Sequence, residues 1–163
     1  YAIEDLKKFV NATKKLGLEV IEQPLSVGKE ALLTQIDRDF RQILVADESL
    51  KNSHSAIRFT PSPQPFGIFN IKLMKCGGIL SALEIATIAN AAEINLFWGC
   101  NDESIVSITA ALHAAFACAN TRYLDLDGSF DLSEDLVRGG FHLKDGMMHI
   151  RDQPGLGLEW IEA

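Results

Sequence analysis

Three charged residues follow short apolar segments at equal intervals of 25 residues: Glu22, Asp47 and Lys72. Carboxylate oxygens are the ligands that a hard cation such as Mg²⁺ prefers, so Glu22 and Asp47 are candidate metal ligands if they meet at one edge of the fold. The alternative interpretation is a pair of solvated loop acids. A lysine beside such a metal could take up or return a proton.

Lys72 belongs to an unusually apolar segment. Over residues 69–74 hydrophobic and other residues alternate with the period of a strand, so Asn70 and Lys72 are predicted to share one face. A turn at Gly77-Gly78 is predicted to end the segment. Lysine is rarely buried without a partner, and burial near a metal would lower its pKa and make the amine available as a base. For Lys72, a structural ion pair inside the barrel is an alternative of equal weight to this catalytic role. Lys75 is expected in the following turn, in solvent.

Apolar periodicity predicts helices that alternate with short strands. The predicted helices cover 1–16, 28–37, 79–93 and 105–119, and the predicted strands cover 18–21, 43–46, 69–74, 95–98 and 123–128. Between 52 and 66, Pro61, Pro63 and Pro65 exclude a continuous helix, so we expect a short helical turn and an extended loop. Five successive βα units imply an α/β fold with a parallel sheet, whose carboxyl edge holds the site.

The number of these units limits the architecture. A closed TIM-type (β/α) barrel needs eight units and about 250 residues, whereas this chain has 163 residues. Residues 1–128 are therefore predicted to form part of such a barrel. Residues 129–163 are rich in Gly and Asp, with a weak strand signal at 147–150. They are expected to form an irregular C-terminal tail that packs back on the barrel or on a capping domain missing from this sequence.

Composition excludes several classes of protein. The formal net charge is -7 and the pI is about 5.0, and no basic stripe is available for nucleic acid. No apolar run approaches the ~20 residues of a membrane span, so a cytoplasmic protein is expected. Cys76, Cys100 and Cys118 are widely spaced and odd in number, which favours buried thiols over disulfides or zinc. Because the sequence opens on Tyr1, it is expected to be a piece of a longer protein.

Asp125 and Asp127 share one face of the last predicted strand. They could bind a cationic group on a ligand or cap loop backbone amides, and composition alone favours capping. The four histidines do not have the spacing of metal ligands, and no Ser-His-Asp or Cys-His order is present.

Three segments at the strand ends carry a family resemblance. They are Ile21-Glu22-Gln23-Pro24-Leu25, Ala46-Asp47-Glu48-Ser49 and Asn70-Ile71-Lys72-Leu73-Met74-Lys75-Cys76-Gly77-Gly78. In order and spacing they resemble the C-terminal barrel half of the enolase superfamily, muconate-lactonizing subgroup. Two further segments, 99–104 (Gly-Cys-Asn-Asp-Glu-Ser) and 125–128 (Asp-Leu-Asp-Gly), look most like the dipeptide epimerases. Those enzymes interconvert L-Ala-D-Glu and L-Ala-L-Glu or related dipeptides.

The resemblance implies an Mg²⁺-dependent isomerase that removes and returns the α-proton of a dipeptide through an enediolate intermediate. Glu22 and Asp47 would be two of three Mg²⁺ ligands, and Lys72 one of two opposed acid/base lysines. Asp125 and Asp127 would hold the α-ammonium group of the dipeptide. Four neighbouring residues are further candidates for a supporting role beside these groups: Glu48, Asn70, Lys75 and Glu103.

Parts of the family pattern are not in this sequence: a K-x-K on an earlier strand, a third carboxylate and an N-terminal capping domain. We therefore expect the isolated chain not to epimerise, and its open sheet edges to drive association with a second copy or with the missing N-terminal half. Two alternatives stay open. One is a muconate or chloromuconate cycloisomerase or o-succinylbenzoate synthase, which Asp125 and Asp127 disfavour because those substrates carry no ammonium. The other is a non-catalytic truncated remnant.

Overall fold

The structure is a computed structural model that describes residues 1–161; residues 162 and 163 of the predicted tail lie outside this range. The helices are α1 (Ile3–Thr13), a 3₁₀ helix (Glu30–Gln35), α2 (Arg38–Arg41), α3 (Ser53–Arg58), α4 (Leu73–Cys76), α5 (Ile79–Ala91) and α6 (Ile105–Phe116). The strands are β1 (Ile21–Glu22), β2 (Leu44–Ala46), β3 (Ile68–Ile71), β4 (Asn95–Trp98), β5 (Thr121–Leu124), β6 (Val137–Gly139), β7 (Phe141–Lys144), β8 (Met147–Ile150) and β9 (Leu158–Trp160).

Strands β1 to β5 form one parallel sheet in the order of the sequence, which confirms the predicted α/β fold. In a doubly wound sheet the strand order reverses at a switch point, whereas here the sheet winds in one direction, as in a TIM-type barrel. Within residues 1–161 no strand pairs with the outer edge of β1 or β5. The sheet is therefore an open sector of a barrel.

Side chains of the sheet alternate between its two faces. One set packs in the main hydrophobic core with the helices: Leu44, Ala46, Phe69, Ile71, Leu96 and Trp98. On the other face, Glu22 pairs in register with Val45, and Val45 pairs with Ile68. This second face corresponds to the interior of the barrel, and it leads at its carboxyl end to Glu22 and Asn70.

The predicted helix over 28–37 is wrong in type: the segment forms the 3₁₀ helix and then the single turn α2. The buried carboxylate of Glu30 accepts hydrogen bonds from the Gly28 amide at 2.8 Å and the Ser49 hydroxyl at 2.6 Å. Tertiary contacts therefore compete here with helical periodicity. The expectation for 52–66 is confirmed, since α3 begins at a capping box between Asn52 and Ser55 and ends before the prolines.

The largest difference from the predicted elements follows β3. This strand ends at Ile71, and residues 73–76 form the helical turn α4 rather than more strand. The Lys72 carbonyl accepts hydrogen bonds from the amides of Lys75 at 3.0 Å and Cys76 at 3.1 Å. Gly77 ends the turn with φ +93°, a conformation that glycine adopts freely. Because residues three apart share one side of a helical turn, Lys75 lies on the same side as Lys72.

The tail contains two antiparallel strand pairs, β6 with β9 and β7 with β8. Strand β8 confirms the weak strand signal at 147–150. Val137 and Phe141 are buried. A Cβ added to Gly140 would lie 2.2 Å from Oγ1 of Thr109, so the tail touches α6 directly.

Within residues 1–161, none of the helices combines the length and the apolar character that crossing a membrane would require.

Candidate active site

The carboxyl ends of β1, β2 and β3 bring the three evenly spaced residues together. Glu22 ends β1, Asp47 directly follows β2 and Lys72 directly follows β3, and these strands are adjacent in the sheet. Glu22 is exposed, whereas the Asp47 side chain is only 9% exposed. Together with Glu48, both carboxylates line an open cavity of about 490 Å³ beside β1.

Two lysines share the carboxylate of Asp47. Lys72 Nζ lies 3.0 Å from Oδ2, and Lys75 Nζ contacts Oδ1. Lys75 also donates to the main-chain oxygens of Asp47 at 2.7 Å and Asn70 at 3.1 Å. The prediction that Lys75 stands in solvent is therefore wrong: α4 returns it to the site, where its side chain is 17% exposed.

These contacts give the two lysines different freedom. An ammonium has three N–H donors, and Lys75 uses all three within the fold. Among the described residues Lys72 has a single ion-pair partner, Asp47. Lys72 is therefore the lysine with N–H groups left to meet a ligand.

Burial acts to lower the pKa of Lys72, but the hydrogen bond to Asp47 and the charges of Asp47, Glu22 and Glu48 outweigh it and raise the pKa. For Lys75, burial prevails over the Asp47 contact, with help from the charge of Lys72, and lowers the pKa. The predicted lowering of the Lys72 pKa depends on a neighbouring metal ion and stays a prediction. The acidic neighbours that the chain itself supplies favour the ammonium form of Lys72, which is the form that donates a proton.

Asn70 connects the interior face of the sheet to Glu22. Its side chain is almost fully buried, and its Nδ2 donates to Oε1 of Glu22. Its Oδ1 has no hydrogen-bond partner among the described residues. A Cβ at Gly99 would lie 2.5 Å from this oxygen, so β3 and β4 leave room for the carboxamide only because residue 99 is glycine.

The donor set fits part of a magnesium site. Glu22 and Asp47 supply carboxylate oxygens from neighbouring strands, but residues 1–161 contain no group of three or more His, Cys, Asp or Glu side chains that could enclose a metal. Proteins often hold Mg²⁺ through one or two carboxylates, with water and substrate completing the shell. Two carboxylates from this chain are therefore chemically sufficient to contribute to such a site, though not to enclose the ion.

Asp125 and Asp127 follow β5, and both side chains are exposed. Neither carboxylate accepts a backbone hydrogen bond from the residues that the structure describes, so the capping interpretation is not supported. The loop is instead tied down by Cys100, whose Sγ accepts from the Gly128 amide at 3.3 Å and donates to the Asp125 carbonyl at 3.2 Å. Burial, with the nearby aspartates, raises the pKa of Cys100 and keeps it a thiol.

Glu48 and Glu103 stand in different surroundings. Glu48 is exposed beside Asp47, where its charge acts on Lys72. Glu103 is buried and accepts hydrogen bonds from the Asn101 amide at 2.9 Å and from the hydroxyl of Ser107. The contacts of Glu103 therefore hold the loop between β4 and α6.

The sequence patterns missed three polar residues beside Glu22 and Asp47: Gln23, Ser49 and Glu30. Gln23 bonds to the backbone of the Asp47 loop, and Ser49 links Gln23 to the buried Glu30. The available signal was the position of Gln23 and Ser49 within two residues of candidate ligands at strand ends. Nothing local in the sequence indicates that Glu30 turns inward.

We expect Glu30→Gln to lower the free energy of unfolding at pH 7 by about 1–2 kcal/mol. Burial acts to raise the pKa of Glu30, but hydrogen bonds from Ser49 and Gly28 outweigh it and hold the pKa below its usual 4.5. A lowered folded-state pKa adds stability that is present above the unfolded pKa and is lost as pH falls through the folded pKa. Urea unfolding at pH 7, 5 and 3 should therefore show the difference from wild type shrinking below about pH 4. The exposed Glu84→Gln is the control, and a pH-independent difference for Glu30→Gln would contradict the assignment.

Comparison with known proteins gives consistent matches. The family model described as "Enolase C-terminal domain-like" matches residues 1–163. The L-Lys-D/L-Arg epimerase of Desulforapulum autotrophicum is 53% identical over 161 residues, which are 99% of this chain and 45% of that protein. The L-Ala-D/L-Glu epimerase of Clostridium acetobutylicum is 35% identical over 160 residues, which are 98% of this chain and 44% of that protein.

Among solved structures, the dipeptide epimerase from Methylococcus capsulatus, complexed with Mg and the dipeptide L-Arg-D-Lys, matches with a TM-score of 0.95. The two are 50% identical, and the match covers 98% of this chain and 45% of that one. The chain thus spans a little less than half the length of the relatives it matches.

Proposed function

Because the chain belongs to the enolase C-terminal domain-like family, we propose that the complete protein is an Mg²⁺-dependent isomerase that epimerises a dipeptide. The observation that carries this proposal is the meeting of Glu22, Asp47 and Lys72 at one edge of a barrel sector. The relatives named as dipeptide epimerases support the same reaction.

Each residue has a defined part in the proposed reaction. Glu22 and Asp47 hold the cation, which would offset the negative charge that develops on the substrate carboxylate when the α-proton leaves. Lys72 carries that proton at Nζ. Asp125 and Asp127, exposed at the end of β5, receive the α-ammonium group of the dipeptide.

An epimerase also needs a second acid/base group on the opposite face of the α-carbon. The resemblance assigns that group to a K-x-K lysine, and this sequence has none on the strands that it forms. We therefore place the second base and the third carboxylate in the rest of the complete protein. The open edges of β1 and β5 are the surfaces on which this remainder, or a second copy of the chain, would pair. As part of the same proposal, the enzyme works in the cytoplasm.

The site favours a dipeptide with basic side chains over L-Ala-L-Glu. Asp125 and Asp127 are assigned to the α-ammonium group that every dipeptide carries, and Asp47 engages both nearby lysines. The carboxylate left at the carboxyl edge to meet a substrate side chain is therefore that of the exposed Glu48. A negative rim attracts cations and repels an acidic side chain. The relative named for Lys and Arg dipeptides is 53% identical, and that named for Ala and Glu dipeptides is 35% identical. The L-Ala-D/L-Glu dipeptide stays as the second candidate substrate, and the same rim disfavours the dicarboxylate muconate.

The test is proton exchange by the complete protein in D₂O, followed by NMR. With Mg²⁺, we expect deuterium to enter the α-position of the C-terminal residue of L-Lys-L-Arg, and chelation by EDTA to stop exchange. We expect kcat/KM for this dipeptide to exceed that for L-Ala-L-Glu at least about tenfold, equivalent to about 1.4 kcal/mol of transition-state discrimination. No exchange with either dipeptide would overturn the proposal. A preference for L-Ala-L-Glu would overturn only the substrate class.

A further inference from the structure

Gln23 directly follows Glu22, and its carboxamide is fully hydrogen-bonded. Oε1 accepts from the amides of Asp47 at 3.0 Å and Ser49 at 3.2 Å. Nε2 donates to Oγ of Ser49 and to the Leu25 carbonyl, both at 2.8 Å. A primary amide offers two donor and about two acceptor positions, so one side chain fastens the loop after β1 to the loop after β2.

The main chain of Gln23 adopts a conformation that few residues other than glycine adopt. Its φ is +34°, in the left-handed region that non-glycine residues rarely occupy. Its amide meanwhile donates to the Val45 carbonyl at 2.9 Å and continues the β1–β2 pairing. Such a conformation persists where surrounding contacts enforce it. The four side-chain hydrogen bonds of Gln23 are contacts of that kind.

The carboxamide is itself held in one orientation. Ser49 Oγ accepts from Gln23 Nε2, and its hydroxyl donates a hydrogen bond to Oε1 of the buried Glu30 at 2.6 Å. Glu30 accepts in turn from the Gly28 amide. This directional chain of donors begins at Gln23 and ends on a carboxylate, so a flipped amide would lose hydrogen bonds at both ends.

We propose that Gln23 is a positioning residue that sets the separation of the Glu22 and Asp47 carboxylates for cation binding. The inference rests on the proposed function, since it assumes that these two residues hold Mg²⁺. Gln23 is covalently joined to Glu22 and bonded to the backbone of Asp47. Any change in its side chain therefore alters the position of one ligand relative to the other. Losing a group that orients a metal ligand commonly weakens binding 10- to 100-fold.

The test compares two glutamine variants of the complete protein. Gln23→Met keeps the side-chain length and removes the hydrogen bonds. Gln64→Met is the matched control, because the Gln64 side chain also hydrogen-bonds to the backbone. It donates to the carbonyls of Ala92 at 2.8 Å and Thr60 at 3.3 Å, and neither residue belongs to the site. Calorimetric titration with Mg²⁺ should give about 10- to 100-fold weaker binding for Gln23→Met. Binding by Gln64→Met should stay within about twofold of wild type, even where its Tm falls.

Kinetics separate positioning from a general loss of structure. If Gln23 acts through the cation, the Mg²⁺ concentration needed for half-maximal rate should rise while kcat at saturating Mg²⁺ largely recovers. A lower Tm with unchanged Mg²⁺ affinity would overturn the inference. If Gln23→Met does not fold, Ser49→Ala removes the next link alone and should still weaken Mg²⁺ several-fold; unchanged affinity there would overturn it equally. Absence of Mg²⁺ binding in the wild-type protein would instead refute the proposed function.

Discussion

Lys72→Ala in the complete protein is expected to lower the rate of dipeptide epimerisation by about 10²- to 10⁴-fold, the usual contribution of a positioned acid or base. Lys72 directly follows β3 beside Asp47, and its contacts leave N–H groups able to meet a substrate. Lys75 cannot take over this part without giving up its hydrogen bonds to the main chain of Asp47 and Asn70. The measurement is kcat/KM under saturating Mg²⁺, together with Tm to verify folding.

Proton exchange makes this prediction sharper. With two bases on opposite faces, each base exchanges the α-proton of one epimer. Lys72→Ala should therefore slow interconversion by that factor, while one epimer, the one whose proton faces the remaining base, still exchanges with D₂O. Loss of exchange from both epimers together, with the fold intact, would indicate that Lys72 supports the site without carrying the proton.

Lys51→Ala is the matched control, because Lys51 is an exposed lysine in the loop between β2 and α3. It should leave turnover within about twofold, as expected for a surface substitution. Unchanged turnover in Lys72→Ala would refute the acid/base role and leave the bond to Asp47 as the function of this lysine.

The barrel sector was predictable because its βα units repeat a pattern that sequence periodicity captures. Apolar segments near residues 44, 69 and 96 are buried as strands, and parallel strands necessarily bring their carboxyl ends to one edge. The spacing of Glu22, Asp47 and Lys72 in the sequence therefore predicted that they meet at one edge of the sheet. The roles of these side chains remain proposals.

What periodicity could not show is set by short segments and tertiary hydrogen bonds. Turn α4 has four residues, too few to establish a helical repeat, and its apolar residues fit a strand equally well. That one turn decides whether Lys75 faces solvent or Asp47. The Gln23 and Glu30 side chains likewise find partners in a loop 19 to 26 residues away, which no local pattern encodes.

Asp47→Asn is expected to destabilise the complete protein by about 2–4 kcal/mol and to weaken Mg²⁺ binding at least about 100-fold. Breaking a buried ion pair from one side costs about 3–5 kcal/mol, and the lower figure allows for the partial exposure of Lys72 and Lys75, both 17%. The variant loses a proposed ligand outright, which should exceed the effect of losing a group that only orients one. Urea unfolding and Mg²⁺ titration measure the two effects separately.

The lysines provide the decisive comparison. The destabilisation by Asp47→Asn comes largely from two ammonium groups left without their carboxylate. Lys75→Met should therefore lower the free energy of unfolding less in the Asp47→Asn background than in the wild type. The expected coupling energy between the two substitutions is about 1–3 kcal/mol. Asp39→Asn, at an exposed position of α2, is the control and should change stability by less than about 0.5 kcal/mol. Additive effects of Asp47→Asn and Lys75→Met would contradict the shared ion pair. Wild-type Mg²⁺ affinity in Asp47→Asn would remove Asp47 from the metal site and leave it a purely structural partner of the two lysines.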